Sequence, residues 1–406
     1  MKALLTLLLV MLVGCSAPSV KVAVTNPTDA ARSGEMVEVE VAALGLTEGA
    51  GLVVVDAEGV EVPSQITHDG KLIFRADVEG AAKVIYTVKE GEAADYQTYA
   101  CGKVYPERVD DIAWESNLIA FRAYGPALQA SGERAFGHDV WLKNNTELPV
   151  VEARYALELN PETRAKIAEL KKTDKKAAQE LAASVSYHND HGNGFDPYKV
   201  GPTLGAGATA LLDGKTIVYP YCYSECEILD NGPLRFTAKL TYLPTTIGER
   251  TVTETRTISI DHGSFLNKTT VCYNGSEGDY EAMSGIVLHE KAPRTTYNEA
   301  EGYVTYAEPV EPAEAGELYL AMYFPEGWKG AEDRFWNKGD DKPKGAYGHA
   351  AVYNTLSEGE VLTYWWGGLW NKVTAVDVPT KEAFDAMMAE VVAAKKAPLQ
   401  VQIVAE

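Results

Sequence analysis

Cysteine is scarce in this chain, which excludes a disulfide-built scaffold. The 406 residues contain five cysteines. Cys15 ends an N-terminal apolar run, and the other four allow one or two bridges in an oxidising compartment; they are Cys101, Cys222, Cys226 and Cys272. No second cysteine pair lies near Cys222 and Cys226 to complete a tetrahedral zinc site. We therefore expect buried or bridged cysteines rather than a zinc knuckle.

Basic residues are few compared with acidic ones. The chain has 37 Lys and Arg against 58 Asp and Glu, a formal net charge of −21 at pH 7. Such a surface repels phosphate backbones, and no basic stripe interleaved with aromatic residues compensates for it, so no nucleic-acid partner is expected. The charge is spread along the chain and 46% of the residues are hydrophobic, which predicts a folded protein rather than a disordered one.

Long apolar runs are absent except at the start, where Lys2 precedes an apolar run from Ala3 to Val13. A membrane-spanning helix needs about 20 apolar residues, so this run predicts an export signal. Small residues before Cys15 resemble the bacterial lipobox, which predicts a signal peptide over residues 1–15 and lipidation of Cys15. No acidic residue occurs at positions 16–19, so we expect a periplasm-facing lipoprotein. The alternative is an ordinary signal peptide with an incidental cysteine.

The mature chain is long enough for about two domains. Short segments that alternate between apolar and polar residues, separated by turn-forming residues, predict a small β-sandwich over residues 16–105. Its predicted strands are 20–24, 36–41, 52–55, 60–62, 72–74 and 84–88. This module has no cluster of titratable residues, so we expect it to be structural.

Residues 106–406 form the predicted catalytic domain, which is also mostly β. Its predicted strands are longer: 119–124, 150–159, 234–242, 251–260, 264–273, 318–324 and 361–366. Two helical stretches interrupt them, one capped by Asn160 and running to Val185, the other capped by Thr380. This pattern predicts two large sheets packed face to face, with a concave face for a ligand.

The densest chemistry lies in the loop of residues 187–201. Between positions 187 and 199 it contains two imidazoles, two carboxylates, two phenols and one ammonium, while its glycines permit tight turns. Three interpretations are open. The loop is a proton-transfer site, since histidine exchanges protons near neutral pH, or a metal site formed by His188, Asp190 and His191, or a polar loop that satisfies its own hydrogen bonds.

Two predicted strands present charged and aromatic residues that could face this loop. Arg122 and Tyr124 share one face of a strand, and Asp139, Trp141 and Lys143 share one face of another. An arginine or lysine on such a face suits a carboxylate ligand. The alternative is an ordinary cross-strand salt bridge.

Tryptophans near the end of the chain offer flat surfaces on which sugars can stack. They are Trp328, Trp336, Trp365, Trp366 and Trp370. We take Trp366 as the candidate substrate contact, with core packing as the alternative.

Four motifs together resemble one protein family. They are the sequence from Asp111 through Phe121-Arg-Ala-Tyr-Gly-Pro, the loop from His188 through Gly205-Ala-Gly, Leu229-Asp-Asn-Gly-Pro-Leu-Arg and Thr253-Glu-Thr-Arg-Thr-Ile-Ser. The resemblance is to an uncharacterised family of Bacteroidota polysaccharide-utilisation loci that includes an oligosaccharide dehydratase of ulvan breakdown. It implies a large mutarotase-like β-supersandwich and the degradation of uronate-containing glycans.

The residues fit the water elimination that this resemblance implies. His188 and Tyr198 would exchange protons, with His191 as a further acid or base, and Arg122 would hold the substrate carboxylate. The candidate substrate-binding residues are Tyr124, Trp141, Lys143, Asp190, Lys199 and Trp366. We expect an oligosaccharide partner, a membrane contact only through the lipid anchor, and no metal or cofactor. The alternatives are a glycoside hydrolase and a non-catalytic glycan-binding lipoprotein.

Overall fold

The computed structural model describes residues 18–144, 149–337 and 342–404, in two compact units. One unit contains residues 18–95 and 399–404, and the other contains residues 96–398. Both are built mainly from antiparallel strands, so the mostly-β fold class is confirmed. The signal peptide and Cys15 lie outside the described residues. In the described part of the chain, no helix is both long and apolar enough to cross a membrane.

The smaller unit has two sheets that enclose one core. Its first seven strands are β1 (Ser19–Thr25), β2 (Arg32–Glu40), β3 (Leu52–Val55), β4 (Glu61–Val62), β5 (Ser64–Ile66), β6 (Lys71–Val78) and β7 (Lys83–Glu90). Alternate residues point inward, so Val37 and Val39 of β2 meet Val22, Val54 and Val88 of the other sheet in one cluster.

The larger unit contains three sheets. Its strands are β8 (Ala100–Tyr105), β9 (Asp111–Ser116), β10 (Ala120–Ala123), β11 (His138–Trp141), β12 (Ala206–Asp213), β13 (Thr216–Val218), β14 (Tyr223–Asn231), β15 (Arg235–Tyr242), β16 (Thr245–Ile247), β17 (Arg250–Asp261), β18 (Leu266–Asn274), β19 (Asp279–Leu288), β20 (Arg294–Asn298), β21 (Tyr303–Pro309), β22 (Glu317–Tyr323), β23 (Gly330–Phe335), β24 (Gly348–Ser357) and β25 (Val361–Trp370). The final strand, β26 (Gln400–Val404), pairs with β1 in the smaller unit.

The sheets of the larger unit have four, five and nine strands. Their orders are β11-β10-β9-β8, then β13-β12-β19-β24-β23, then β14-β15-β17-β18-β25-β22-β21-β20 with β16 paired to β17. One apolar cluster takes side chains from all three sheets, for example Trp114, Ile286 and Trp366. This shared core holds the sheets of the unit together.

The boundary between the units differs from the predicted one at 105/106. Strand β8 pairs with β9 along its whole length, so residues 100–105 belong to the larger unit. The chain end belongs to the smaller unit because β26 adds to the edge of β1. Both differences arise from strand pairing between residues that are not neighbours in the sequence.

Among the described residues, five α-helices interrupt the strands: α1 (Pro126–Ala130), α2 (Val150–Glu158), α3 (Pro161–Thr173), α4 (Lys175–Val185) and α5 (Lys381–Lys396). The strand predicted over residues 150–159 is wrong, because α2 occupies it. Its buried residues Val150, Val151, Arg154 and Tyr155 recur at helical spacing. The β-branched pair at its start, Val150 and Val151, is typical of a strand.

The predicted helix caps are confirmed. Asn160 accepts a hydrogen bond from the Thr163 amide at 2.9 Å, and Thr380 accepts one from the Ala383 amide at 3.2 Å. The stretch from 160 to 185 is two helices, because Asp174 adopts an extended backbone and caps the second one.

The four described cysteines are all free. Of the two states that the sequence allowed for Cys222 and Cys226, buried or bridged, no bridge is formed among the described residues; Cys222 is buried and Cys226 is partly buried.

Candidate functional site

The charged centre of the site is formed where β10 and β11 pair. Arg122 lies directly opposite Asp139 in the register of the two strands, and one guanidinium nitrogen, Nη2, donates to the Asp139 carboxylate. The same nitrogen donates to Asp196 Oδ2 at 3.0 Å. All three side chains are buried. The cross-strand salt bridge, which was the alternative interpretation of the sequence, is present between Arg122 and Asp139. The loop of residues 187–201 adds a second carboxylate, that of Asp196.

Burial of two carboxylates beside one cation changes their proton affinity. Burial and the charge of Asp139 raise the pKa of Asp196 well above its ordinary value, against the opposing charge of Arg122. Burial lowers the pKa of Arg122, but Asp139, Tyr155, Tyr124 and Asp196 together outweigh that effect and raise the pKa well above its ordinary value. Arg122 therefore stays charged, and Asp196 holds a proton more readily than an ordinary aspartate.

Aromatic rings enclose the Arg122 guanidinium. Its carbon lies 5.1 Å from the ring centre of Tyr124, 5.3 Å from that of Trp141 and 5.6 Å from that of Tyr187. These are cation–π distances. Its Nη2 is on two protein carboxylates, its Nη1 donates to the Tyr155 hydroxyl at 3.3 Å, and the side chain is buried, so Arg122 is not open to a substrate carboxylate. Tyr124 and Trp141 are likewise buried around the arginine rather than exposed to a sugar.

His188 connects this buried cluster to solvent. Its Nδ1 lies 2.8 Å from the backbone carbonyl oxygen of Asp196 and 3.6 Å from Asp196 Oδ2, and 58% of its side chain is exposed. Because a carbonyl oxygen only accepts, Nδ1 carries the proton of the neutral ring and Nε2 is unprotonated. None of the hydrogen bonds in the described structure uses Nε2. The ring thus presents an oriented base outward.

Asp190 and His191, the other two proposed metal ligands, stabilise the conformation of the loop through hydrogen bonds to the backbone. Asp190 accepts hydrogen bonds from the amides of Gly192 and Gly194 at 2.8 and 3.1 Å. His191 Nε2 lies 2.8 Å from the carbonyl oxygen of Ser186, so it donates there. Among the described residues, no group of three or more His, Cys, Asp or Glu side chains is arranged to hold a metal ion. His188, Asp190 and His191 are therefore not brought together as ligands.

Tyr198 lies at the inner end of the same loop. It is buried, and its hydroxyl has no hydrogen-bond partner among the described residues. Burial, together with nearby Glu308, raises its pKa well above the ordinary value, so the hydroxyl remains protonated. Its ring meets His289 edge-on at 5.8 Å between ring centres.

His289 and Glu308 form a polar pair beside Tyr198 that the sequence did not reveal. His289 Nδ1 lies 2.7 Å from Glu308 Oε1, and its Nε2 lies 3.0 Å from the Lys199 carbonyl oxygen. Nε2 therefore donates to that carbonyl oxygen, and Nδ1 faces the Glu308 carboxyl group. The two residues come from the end of β19 and from β21, and no local motif joins them.

Unpaired polar atoms concentrate in this region. The described residues contain thirteen buried side-chain nitrogen or oxygen atoms without a hydrogen-bond partner. Six of them lie in or beside the loop, namely Asp111 Oδ2, Arg122 Nε, Arg154 Nε, Asp196 Oδ1, Tyr198 Oη and Glu308 Oε2. Buried polar groups are normally paired, so a cluster of exceptions indicates a functional site.

Arg108 is a further residue that sequence reasoning missed. Its guanidinium donates to the Tyr187 hydroxyl from Nε at 3.3 Å and from Nη2 at 3.2 Å, and its Nη1 lies 4.0 Å from Asp111 Oδ2. The Tyr187 ring centre lies 4.4 Å from that of His188. With 22% of its side chain exposed, Arg108 is the arginine of this region that a ligand can reach.

Three predicted substrate contacts lie apart from this centre. Lys143 is fully buried and donates to Glu115 Oε2 at 2.7 Å and to the Ser116 carbonyl oxygen at 2.9 Å. Trp366 is fully buried, stacked on His138 at 4.2 Å between ring centres, so it has no face for a sugar. Lys199 is exposed and pairs with Glu311 on the surface at 3.0 Å. These placements do not fit substrate binding by Lys143 or Trp366.

Comparisons with known proteins place the chain in a family and a fold. The model of the family described as "Domain of unknown function (DUF4861)" matches residues 24–401. "Uncharacterized protein P7" of Formosa agariphila is 27% identical over 323 residues, which cover 78% of this chain and 73% of that protein.

Two solved structures from Enterococcus faecalis share the fold. One is described as a protein in the glycosyl hydrolase family 38 and the other as an alpha-mannosidase. Each has a TM-score of 0.50 and 10% sequence identity, with 95% of this chain covered. The chain spans about half the length of these structures, 47% and 46%. At this identity the likeness concerns the fold.

Proposed function

We propose that this chain, which belongs to the DUF4861 family, is a glycan-processing enzyme that eliminates water from a terminal uronic acid of an oligosaccharide. The observation that carries the proposal is the outward-facing Nε2 of His188, held by Asp196 above a buried charged cluster. The glycan substrate is supported by the motifs that resemble the ulvan dehydratase family and by the fold shared with two glycan-acting enzymes.

The reaction requires one base, one acid and one cation. His188 Nε2 takes the proton from the carbon beside the substrate carboxylate. The electron pair of that C–H bond forms a carbon–carbon double bond, and the bond to the neighbouring hydroxyl oxygen breaks. The hydroxyl leaves as water after it receives a proton. No electrons are gained or lost, and the sugar chain is not cut.

Asp196 and Arg122 position the base. The Asp196 carbonyl oxygen fixes the Nδ1 tautomer of His188. Asp196 Oδ2 lies 3.6 Å from Nδ1, where the ionised form of Asp196 stabilises the imidazolium that forms when Nε2 takes a proton. Arg122 in turn holds the Asp196 side chain. Arg122 thus acts through Asp196, and not on the substrate carboxylate as the sequence suggested.

Arg108 is the cation that we assign to the substrate carboxylate. It is partly exposed, and Tyr187, which its guanidinium contacts, packs against His188. A guanidinium binds a carboxylate through two parallel hydrogen bonds and stabilises the enolate-like charge that forms as the proton leaves.

Tyr198 is the proposed acid. Its raised pKa keeps a proton on the hydroxyl at neutral pH, and that hydroxyl has no partner among the described residues. Since the hydroxyl is buried, the substrate must displace the groups that cover it. His289 and Glu308 can then return a proton to Tyr198 after the reaction.

Elimination fits this site better than hydrolysis of a glycosidic bond. A glycoside hydrolase commonly places two carboxyl groups on either side of the scissile bond. Here Asp139 and Asp196 are buried and share one arginine nitrogen. They cannot flank a sugar in this arrangement, whereas the exposed imidazole can approach one.

The test is product analysis with the purified full-length protein and its His188→Ala variant. We expect uronate-ended oligosaccharides to lose one water without chain shortening, with new absorbance at about 235 nm from the conjugated double bond. His188→Ala should lower kcat by about 10²–10⁴-fold, and Arg108→Gln should lower kcat/KM by about 10²-fold.

The control is His68→Ala, which removes an exposed histidine from the smaller unit and should leave activity unchanged. Full activity in His188→Ala would refute the proposal. Shortened products would show a hydrolase or a chain-cleaving lyase, and binding without turnover would show a non-catalytic glycan-binding protein. Lipidation of Cys15 and a periplasmic location remain parts of the proposal, to be tested by mass spectrometry of the membrane-bound protein.

A further inference from the structure

A cleft of about 690 Å³ lies on one face of the five-stranded sheet of the larger unit. Its walls come from the two edge strands, β13 and β23, and from the segments beside them. None of its lining residues belongs to the loop of residues 187–201 or to the Arg122 cluster. The volume lies within the range of about 300–1,000 Å³ that is common for small-molecule sites.

A row of small residues in the middle of the sheet is buried beside this cleft, packed against Leu204. Ala208 of β12 pairs with Gly285 of β19, and Gly285 pairs with Ala351 of β24. Ala351 shares its face with His349 and Tyr353, two positions away on either side, and both of these line the cleft. The open space of the cleft lies beside this buried row.

Aromatic and cationic side chains surround that space. Trp336 and Phe335 follow one another at the end of β23, and 43% of Phe335 is exposed. Arg334 reaches across the sheet to donate to the Lys215 carbonyl oxygen. Lys215 itself is exposed, and its ammonium makes no ion pair among the described residues.

The charge of the cleft is opposite to that of the whole chain. Lys215 and Arg334 bring two positive charges, while Glu332, the acidic residue of the lining, accepts a hydrogen bond from Tyr353 at 2.8 Å. The protein has a net charge of −21, so its surface in general repels an acidic polymer. A locally positive cleft with flat rings is where an acidic sugar can bind.

The histidine that lines the cleft is suited to binding rather than to proton transfer near neutral pH. His349 Nε2 accepts a hydrogen bond from the Leu204 amide at 3.2 Å, so the proton of the ring is on Nδ1. Burial, with the nearby charge of Arg334, lowers the pKa of His349 to about 3. His349 is therefore a neutral hydrogen-bond donor in this wall.

We propose that this cleft is a second saccharide site, which binds acidic sugar units of the oligosaccharide by stacking on Trp336 and by ion pairing with Lys215 and Arg334. The inference rests on the proposed glycan substrate but not on the chemistry at His188. In this proposal the cleft binds the oligosaccharide, and the loop of residues 187–201 carries out the reaction.

The test is calorimetric binding at low salt to the full chain carrying His188→Ala, which prevents turnover. The probes are β-1,4-linked tetraglucuronic acid and cellotetraose, which share a linkage and differ in charge. Adding Lys215→Ala should weaken binding of the acidic probe by about threefold or more and leave cellotetraose unchanged. Adding Trp336→Ala should weaken both probes by about tenfold.

Lys166→Ala, which removes an exposed lysine of α3, is the matched control and should bind as the parent does. Hydrogen–deuterium exchange should show that the acidic probe protects β13 and β23. Parental affinity in both Lys215→Ala and Trp336→Ala, or no binding of the acidic probe, would overturn the inference. Activity retained in His188→Ala would overturn the proposed reaction alone, because the cleft variants are judged by binding.

Discussion

At the scale of single residues, one guanidinium nitrogen shared by two buried carboxylates sets the electrostatics of the larger unit. Arg122 makes Asp139 and Asp196 compatible with burial, since an isolated charge in a protein interior is strongly unfavourable. Through its hydrogen bond to Asp196, Arg122 also fixes the loop that bears His188. Stability and the proposed chemistry therefore depend on one cluster.

We expect Arg122→Met to lower the free energy of unfolding by about 3–5 kcal/mol, because it leaves two buried carboxylates without a cation. Lys199→Ala should cost less than about 1 kcal/mol, because its ion pair with Glu311 is exposed. Urea denaturation of both variants at pH 7 measures the difference. Equal losses would show that the Arg122 cluster contributes no more than a surface pair.

Asp111, in contrast to Arg122, lowers the stability of the folded state, and this effect depends on pH. Burial raises its pKa from 3.8 to about 6, against the charge of Arg122, so the folded state binds a proton more tightly than the unfolded state between about pH 4 and pH 6. The cost of the buried charge is fully present above pH 6 and disappears as the pH falls to 4. Asp111→Asn keeps an oxygen to accept from the Gly125 amide.

We therefore expect Asp111→Asn to be more stable than the parent by about 2–3 kcal/mol at pH 7 and equally stable at pH 4. Denaturation midpoints at several pH values between 4 and 7 measure this difference. A difference between the two proteins that does not change with pH would contradict the assignment.

At the scale of secondary-structure elements, the helices show which features a local sequence pattern predicts correctly and which it does not. The cap at Thr380 and the apolar stripe of α5 were predictable, because both depend on residues a few positions apart. Only Phe384, Met388 and Val392 are buried in the stripe, whereas Met387 and Val391 are partly exposed. Helix α2 was mistaken for a strand because the contacts that favour the helix come from Tyr105, Trp141 and other distant residues.

Met388→Ala should lower the free energy of unfolding by about 2–5 kcal/mol, because it leaves a cavity in the core. Met387→Ala, which removes the same atoms one position away, should cost clearly less, since that side chain is partly exposed. Thermal or urea denaturation compares the pair. A larger loss for Met387→Ala would show that the helix is rotated relative to the structure.

At the scale of the whole molecule, the chain returns at its end to the unit in which it began. Strand β26 pairs with β1, with Val404 opposite Lys21 and Gln400 opposite Thr25. Leu399 joins the core of the smaller unit. The smaller unit is therefore completed only after the larger one has been synthesised.

Deleting residues 399–406 should destabilise the smaller unit, because β1 loses a neighbouring strand and the core loses Leu399. Hydrogen–deuterium exchange should then speed up in β1 while β17 in the larger unit remains protected. Deleting only residues 405 and 406 is the control and should leave β1 unchanged. Faster exchange throughout the chain would show instead that the two units unfold together.

The amino-acid sequence by itself determined most strands of the smaller unit, fewer than half of those of the larger unit, the caps of α3 and α5, and the loop that holds His188 and Tyr198. These features depend on period, turn residues and composition within short segments. The sequence could also place Arg122 and Asp139 on the faces of two strands, since side chains alternate along a strand.

Only the tertiary structure decided which of these groups meet. Strand register put Arg122 opposite Asp139, and the fold of the loop brought Asp196 to the same nitrogen. Lys143 became a core ion pair with Glu115, while Arg108 emerged as the reachable cation. The physical reason is that a local pattern specifies the direction of a side chain, whereas its partner depends on contacts between segments far apart in the sequence.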